Sequence, residues 1–113
     1  MLDLYCGTGT IGLLVSPYVK KVIGVEVVED AVNSAKLNKK LNSIDNIEFL
    51  LGKVEDYIES FNNIDSIIVD PPRSGLDKLT VQTILNIKPK SIVYVSCDPN
   101  TLVRDLNTLS DKY

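Results

Sequence analysis

Short apolar runs alternate along the chain with longer amphipathic ones. Residues 2–5 read as the end of a first strand, followed by Gly7-Thr-Gly9-Thr-Ile-Gly12 and a helix opening over 11–15. Residues 22–26 predict a second strand. Over 29–41 the apolar positions Ala31, Val32, Ala35, Leu37 and Leu41 approximate one helical face. Asp30 lies near the start of that stretch and Asn42 near its end, where dipole and capping preferences favour them. Residues 47–51 predict a third strand, 54–61 a short helix, and 65–70 a fourth strand that ends in an acid. Pro71 and Pro72 stop that strand, because proline lacks the backbone donor and restricts the residue before it. A helix over 78–87 is closed by Lys88-Pro89, residues 91–96 form a fifth strand, and 100–109 a last helix.

Strands with apolar centres, each followed by a helix, predict an α/β domain with a parallel sheet covered on both faces. The 113 residues suffice for one domain, 1–113, with no linker or repeat. The first strand has no lead-in and the last helix little after it, so the chain reads as a piece of a larger protein.

Composition narrows the partners. The chain has 12 Lys+Arg against 15 Asp+Glu, a net charge of -3, and its two arginines are Arg73 and Arg104. Proteins that grip nucleic acid unaided show a basic face, so any RNA would be held mostly by another part. Cys6 and Cys97 form no CxxC pair and histidine is absent, which leaves a metal site almost without ligands. Two isolated thiols, no signal segment and no run of 18 apolar residues predict a cytoplasmic domain with neither membrane nor metal partner.

Three motifs carry chemistry, all at strand ends. Gly7-x-Gly9-x-x-Gly12 follows a strand and opens a helix, letting the backbone turn tightly and approach a ligand. Glu26, 19 residues after Gly7, can accept both hydroxyls of a ribose. These features fit NAD and S-adenosylmethionine equally. Asp3 begins to separate them: an acid four residues before Gly7 suits the cationic amino-acid end of S-adenosylmethionine and would repel a pyrophosphate. Asp70-Pro-Pro-Arg73-Ser-Gly75 places a second acid, aimed by rigid prolines, at the carboxyl end of the fourth strand, where open α/β sheets bind ligands. Ser96-Cys97-Asp98-Pro99-Asn100 brings a thiol to the same rim, ahead of a helix whose amino end favours an anion. Cys6 reads as a packing residue, and Arg104 could reach a phosphate or brace a loop.

Together, Asp3-Leu-Tyr-Cys-Gly-Thr-Gly9, Gly24-Val-Glu26, Asp70-Pro-Pro-Arg-Ser-Gly75 and Val95-Ser-Cys97-Asp-Pro-Asn-Thr-Leu-Val-Arg104-Asp resemble the RumA/TrmA family of RNA uracil-5-methyltransferases, in order and spacing over residues 2–113. Cytosine-5 enzymes instead carry a cysteine where Pro72 stands, and amino-methylating enzymes an aromatic where Arg73 stands. The resemblance implies a Rossmann-like class I S-adenosylmethionine-dependent fold, sheet order 3-2-1-4-5, cut before its last strands. It implies that Cys97 attacks C6 of the target uracil and that Asp70 lies near both cofactor and base. Arg73 and Arg104 fall to the substrate side. Asp3, Tyr5, Gly7, Gly9, Thr10 and Glu26 fall to the cofactor. Position 53 usually carries an acceptor near the adenine; Lys53 departs from that, with Glu55 or Asp56 placed to compensate.

The chemistry implied is methylation of uridine C5 through a Cys–C6 adduct, with ribosomal RNA ahead of transfer RNA as substrate. The base must be flipped or single-stranded to expose C6. The family's general base, a Glu beyond further strands, and its RNA-binding domain lie outside these residues, so the chain alone should be inactive. The alternatives are another S-adenosylmethionine-dependent RNA methyltransferase, a NAD-binding module, or an interaction domain that kept the fold.

Overall fold

The computed structural model describes residues 1–57, 61, 63–95 and 98–109. Five strands, β1 (Leu2–Leu4), β2 (Val22–Glu26), β3 (Ile47–Leu51), β4 (Ser66–Val69) and β5 (Ser91–Tyr94), form one parallel sheet in the order β3-β2-β1-β4-β5. The helices are α1 (Thr10–Val15), α2 (Glu29–Leu41), α3 (Lys78–Ile87) and α4 (Pro99–Leu109). After β3 the chain crosses back to lay β4 beside β1. This reversal opens a crevice at the carboxyl ends of neighbouring strands, where such sheets bind ligands.

The period of two along each strand divides the core. Leu2 and Leu4 of β1 and Ile67 and Val69 of β4 turn to one face and pack with Val54, Ile84 and Leu109. Val22 of β2 and Ile47 and Phe49 of β3 turn to the other, against Val32 and Ala35 of α2. A fully buried side chain of this kind contributes about 1.5–3 kcal/mol. The Lys21–Glu48 pair at 3.5 Å, both side chains more than half exposed, contributes about 0–1 kcal/mol. Apolar burial therefore holds the fold. Asp3, between the two leucines, is forced by the same alternation onto the α1 face, beneath Gly12.

Three local features differ from the sequence reading. The described start of the helix expected over 54–61 is a 3-10 turn, Val54–Asp56, whose Asp56 carboxylate turns back to accept the Lys53 amide at 3.0 Å; residues 58–60 lie outside the described ones. The fifth strand ends at Tyr94, and Ser96 and Cys97 lie outside the described residues. The second face is covered over β2 and β3 but open at β5, where Val93 is 53% exposed.

Candidate active site

Because all five strands run parallel, their carboxyl ends share one rim, and the loops leaving β1 to β4 converge there. A cleft of about 170 Å³ opens at this rim, lined by Leu4, Tyr5, Glu26, Lys53, Asp77 and Thr80 among others. The loop after β1 reaches it through three left-handed residues, Tyr5 (φ 58), Gly7 (φ 56) and Gly9 (φ 83). Gly9 sits directly on the second core: a Cβ there would lie 2.6 Å from Phe49 Cζ. A Cβ on Gly7 would meet nothing within 4 Å, so that stretch of loop faces open space. Thr10, exposed, starts α1, with its Oγ1 3.4 Å from Thr8 Oγ1.

Glu26 has a role that its position in the sequence does not reveal. Its Oε1 accepts the Gly7 amide at 3.0 Å, and its Oε2 accepts the Val27 and Val28 amides at 2.8 and 3.0 Å. The carboxylate thus ties the glycine loop to the end of β2 and to the turn that leads into α2. A carboxylate oxygen offers about two acceptor positions, so Oε1 retains one for a hydroxyl and Oε2 is filled.

Asp3 is 1% exposed, and neither carboxylate oxygen has a hydrogen-bond partner. Burial pushes its pKa up to about 6; the Gly12 amide opposes the shift without reaching hydrogen-bond geometry, and the negative charge of Asp70 adds to it. Buried polar groups without partners are rare and costly, so this carboxylate is an acceptor waiting for a donor or a cation. Cys6, half-buried beside Gly24, has its thiol pushed up to about 12 by burial and by the charges of Asp3 and Glu26. A thiol so raised stays protonated at neutral pH, which agrees with its reading as a packing residue.

Lys53 lines the cleft. Of the two acids placed to compensate for it, Asp56 is spent on the Lys53 amide, whereas Glu55 Oε2 is buried without a partner. Burial pushes the Tyr5 phenol up, and the nearby Thr80 hydroxyl opposes the shift. Asp77 and Thr80 escaped the sequence reading. Asp77 is the N-cap of α3, accepting the Thr80 amide at 2.7 Å, a bond that holds its carboxyl below the usual range. An acid three residues ahead of a polar residue at a helix start was the available signal.

Asp70 is exposed at the end of β4, its amide on the Leu4 carbonyl at 3.4 Å. Arg73 is exposed. Arg104, expected either to reach a phosphate or to brace a loop, braces one: its Nη2 lies 2.8 Å from the Ser74 carbonyl and 3.1 Å from that of Leu76. Cys97 lies outside the described residues, so its placement against Asp70 stays an expectation. Among the described residues there is no group of three metal-ligating side chains, and no helix long and apolar enough to cross a membrane.

The architecture and the glycine-acid rim define a Rossmann-like methyltransferase, and comparison with known proteins agrees. The chain belongs to the methyltransferase domain family, whose pattern matches residues 1–112. It is 47% identical to an uncharacterised RNA methyltransferase of Clostridium tetani and 49% identical to one of Clostridium acetobutylicum, in each case over 98% of this chain and 25% of that protein. The chain therefore spans about a quarter of the length of these relatives. The Pyrococcus abyssi tRNA (uracil-54, C5)-methyltransferase, solved with S-adenosyl-L-homocysteine, superposes with a TM-score of 0.82 at 36% identity, over 95% of this chain and 26% of that one. A precorrin 8w decarboxylase of Methanobacterium thermoautotrophicum superposes at 0.78 with 23% identity, which shows the shared fold alone. The resemblance to the RumA/TrmA family stands, and the cofactor of this fold is S-adenosylmethionine.

The residues present fit that cofactor. The unpartnered, buried Asp3 carboxylate matches a cationic amino-acid end, Oε1 of Glu26 keeps one acceptor position for a ribose hydroxyl, and the Gly7 stretch leaves backbone open to a ligand.

Proposed function

We propose that this chain is the cofactor-binding portion of an RNA methyltransferase that modifies C5 of uridine, with Cys97 as the nucleophile. The observation that carries the reading is the rim itself. An orphaned acid, a glycine loop pinned by Glu26, and the Asp70-Pro-Pro-Arg73 loop lie at adjacent strand ends. Asp3 and Glu26 hold the cofactor's two polar ends, Tyr5, Gly7, Gly9 and Thr10 form the loop over it, and Lys53 borders its adenosine side. Asp70 and Arg73 border the target base.

The bound cofactor supplies an electrophilic methyl group. Uracil C5 is too weak a nucleophile to take it directly. Addition of the Cys97 thiolate to C6 moves the electron pair onto C5, C5 takes the methyl, a general base removes the C5 proton, and elimination breaks the C6–S bond and frees the thiol. The general base and most of the RNA grip belong to the rest of the protein, in keeping with the net charge of -3 here. The isolated chain then binds cofactor and does not turn over. Ribosomal RNA is the substrate class placed first by the family resemblance; the likeness to a transfer RNA enzyme supports the other.

The test is methyl transfer from labelled S-adenosylmethionine by the full native protein, offered ribosomal and transfer RNA transcripts separately, with wild type and Cys97→Ser. The expected outcome is 5-methyluridine in one RNA with wild type, none with Cys97→Ser, and equal S-adenosylhomocysteine affinity in both. Turnover retained by Cys97→Ser removes the thiol from the mechanism. Methylation at another base overturns the uracil reading.

A further inference from the structure

The loop that carries Asp70 is joined to α4 by a polar cluster around one buried carboxylate, and Tyr94, Arg104 and Asp105 do not line the cofactor cleft. Asp105, on α4, is 3% exposed. Its Oδ2 accepts the Leu76 amide at 2.9 Å and the Tyr94 hydroxyl at 2.5 Å. Its Oδ1 accepts Arg104 Nε at 3.1 Å and Nη2 at 3.0 Å. Nη2 also reaches the Ser74 and Leu76 carbonyls, and one turn earlier Thr101 Oγ1 donates to the Arg73 carbonyl at 3.0 Å. Gly75, at φ +79, is pressed into this cluster: a Cβ there would lie 2.5 Å from Arg104 Nη2 and 2.7 Å from Asp105 Oδ2.

The loop does not need α4 to close. Its turn is made by the Gly75 amide on the Pro72 carbonyl at 2.8 Å, and the start of α3 is capped by Asp77. What the cluster adds is a fixed relation between two strand-end segments. One runs from Asp70 to Leu76. The other is α4, which begins two residues after Cys97 in the chain. A buried carboxylate keeps its charge only while its acceptor positions are filled. Here its donors come from β5, from the loop and from α4, so Asp105 is satisfied only when all three are in register. Burial and the Asp105 carboxylate push the Tyr94 phenol up, so its hydroxyl stays a donor at neutral pH.

We infer that Tyr94, Asp105 and Arg104 are positioning residues that hold the Asp70-Pro-Pro-Arg73 loop against β5 and α4, so that the loop meets the target base in one register. This inference rests on the function proposed above. The three act through the loop that carries Asp70 and Arg73. A misplacement of about 1 Å at a reacting group costs on the order of a hundredfold in rate, which sets the size of the effect.

The experiment uses the full native protein, as wild type and as Tyr94→Phe, Asp105→Asn and Thr101→Ser. It reads S-adenosylhomocysteine affinity, hydrogen exchange over residues 73–76, and the single-turnover rate of covalent capture by 5-fluorouridine RNA. Tyr94→Phe keeps the ring and removes one donor, so it carries the test if Asp105→Asn does not fold. The expected result is capture slowed by about tenfold to a hundredfold, faster exchange over 73–76, cofactor affinity within about threefold of wild type, and a wild-type rate for Thr101→Ser. Wild-type capture by Tyr94→Phe overturns the inference and leaves the proposed function standing. So does a loss of cofactor affinity matching the loss of rate, which marks a merely structural role. If the wild type itself is not captured by uridine-analogue RNA and methylates no uridine, the proposed function falls and this inference falls with it.

Discussion

Asp3 lies between two core leucines and points away from both, into the space under Gly12. Its position is fixed by strand alternation, and its chemistry by the lack of a partner. With a folded-state pKa raised to about 6, the carboxyl keeps its proton between about pH 4 and 6, where the unfolded chain has already lost it. Folding stability therefore falls as pH rises through that window and stays lower above it, by about 3 kcal/mol in total. Asp3→Asn removes this slope: between pH 4 and 7 the wild type should lose stability relative to the variant in urea titrations. A cationic ligand end beside Asp3 favours the ionised form, so S-adenosylhomocysteine should bind wild type more tightly at pH 7 than at pH 5, and Asp3→Asn about equally at both. Parallel urea curves for the two proteins would show that Asp3 titrates as an ordinary carboxyl. The sequence placed an acid here, but it could not show that both oxygens would be stranded. Nor could it show that Glu26, read as a ribose ligand, already holds three backbone amides.

At the scale of elements, the glycine loop joins recognition to packing. Gly7 and Gly9 share a left-handed backbone and differ in surroundings: open space at Gly7, the Phe49 ring at Gly9. Alanine at either position costs about 1–2 kcal/mol for the left-handed conformation. At Gly9 the clash with Phe49 adds about 1–3 kcal/mol. Thermal melts should therefore place Gly9→Ala well below Gly7→Ala, while both weaken S-adenosylhomocysteine binding. Equal midpoints would mean that Phe49 yields to the new methyl group. Element bounds were legible where the chain is punctuated. The helix over 78–87 is bounded as read, ended by Lys88 in a left-handed conformation before Pro89. The reading was less exact where a side chain shapes the backbone locally, as Asp56 does in the 3-10 turn over 54–56. It was silent on Asp105, because Leu76 and Asp105 are 29 residues apart and neither local pattern points to the other.

Across the whole molecule, alternation of strands and helices made the parallel sheet legible, while its order followed from the family resemblance. What no periodicity conveyed is that the two faces are unequally covered. Ile92 and Tyr94 of β5 pack inward with the larger core. Val93 turns to the opposite side and is 53% exposed, and Val95, two residues on, is 42% exposed. β5 is also the terminal strand of the sheet order, so among the described residues no strand pairs with its outer edge. Such an edge pairs readily with another copy, and natural sheets usually blunt it with charge or cover it. The 113-residue chain expressed alone should therefore self-associate through β5. Val93→Lys with Val95→Lys places charge on the bare face without disturbing Ile92 or Tyr94. Light scattering across a concentration series should show association in the parent chain and a monomer in the double variant, with S-adenosylhomocysteine affinity alike in both because the cleft lies at the β1, β2 and β3 ends. A parent chain that stays monomeric over the whole series would mean that edge and face are too short to recruit a second sheet. Association persisting in the double variant would place the contact elsewhere.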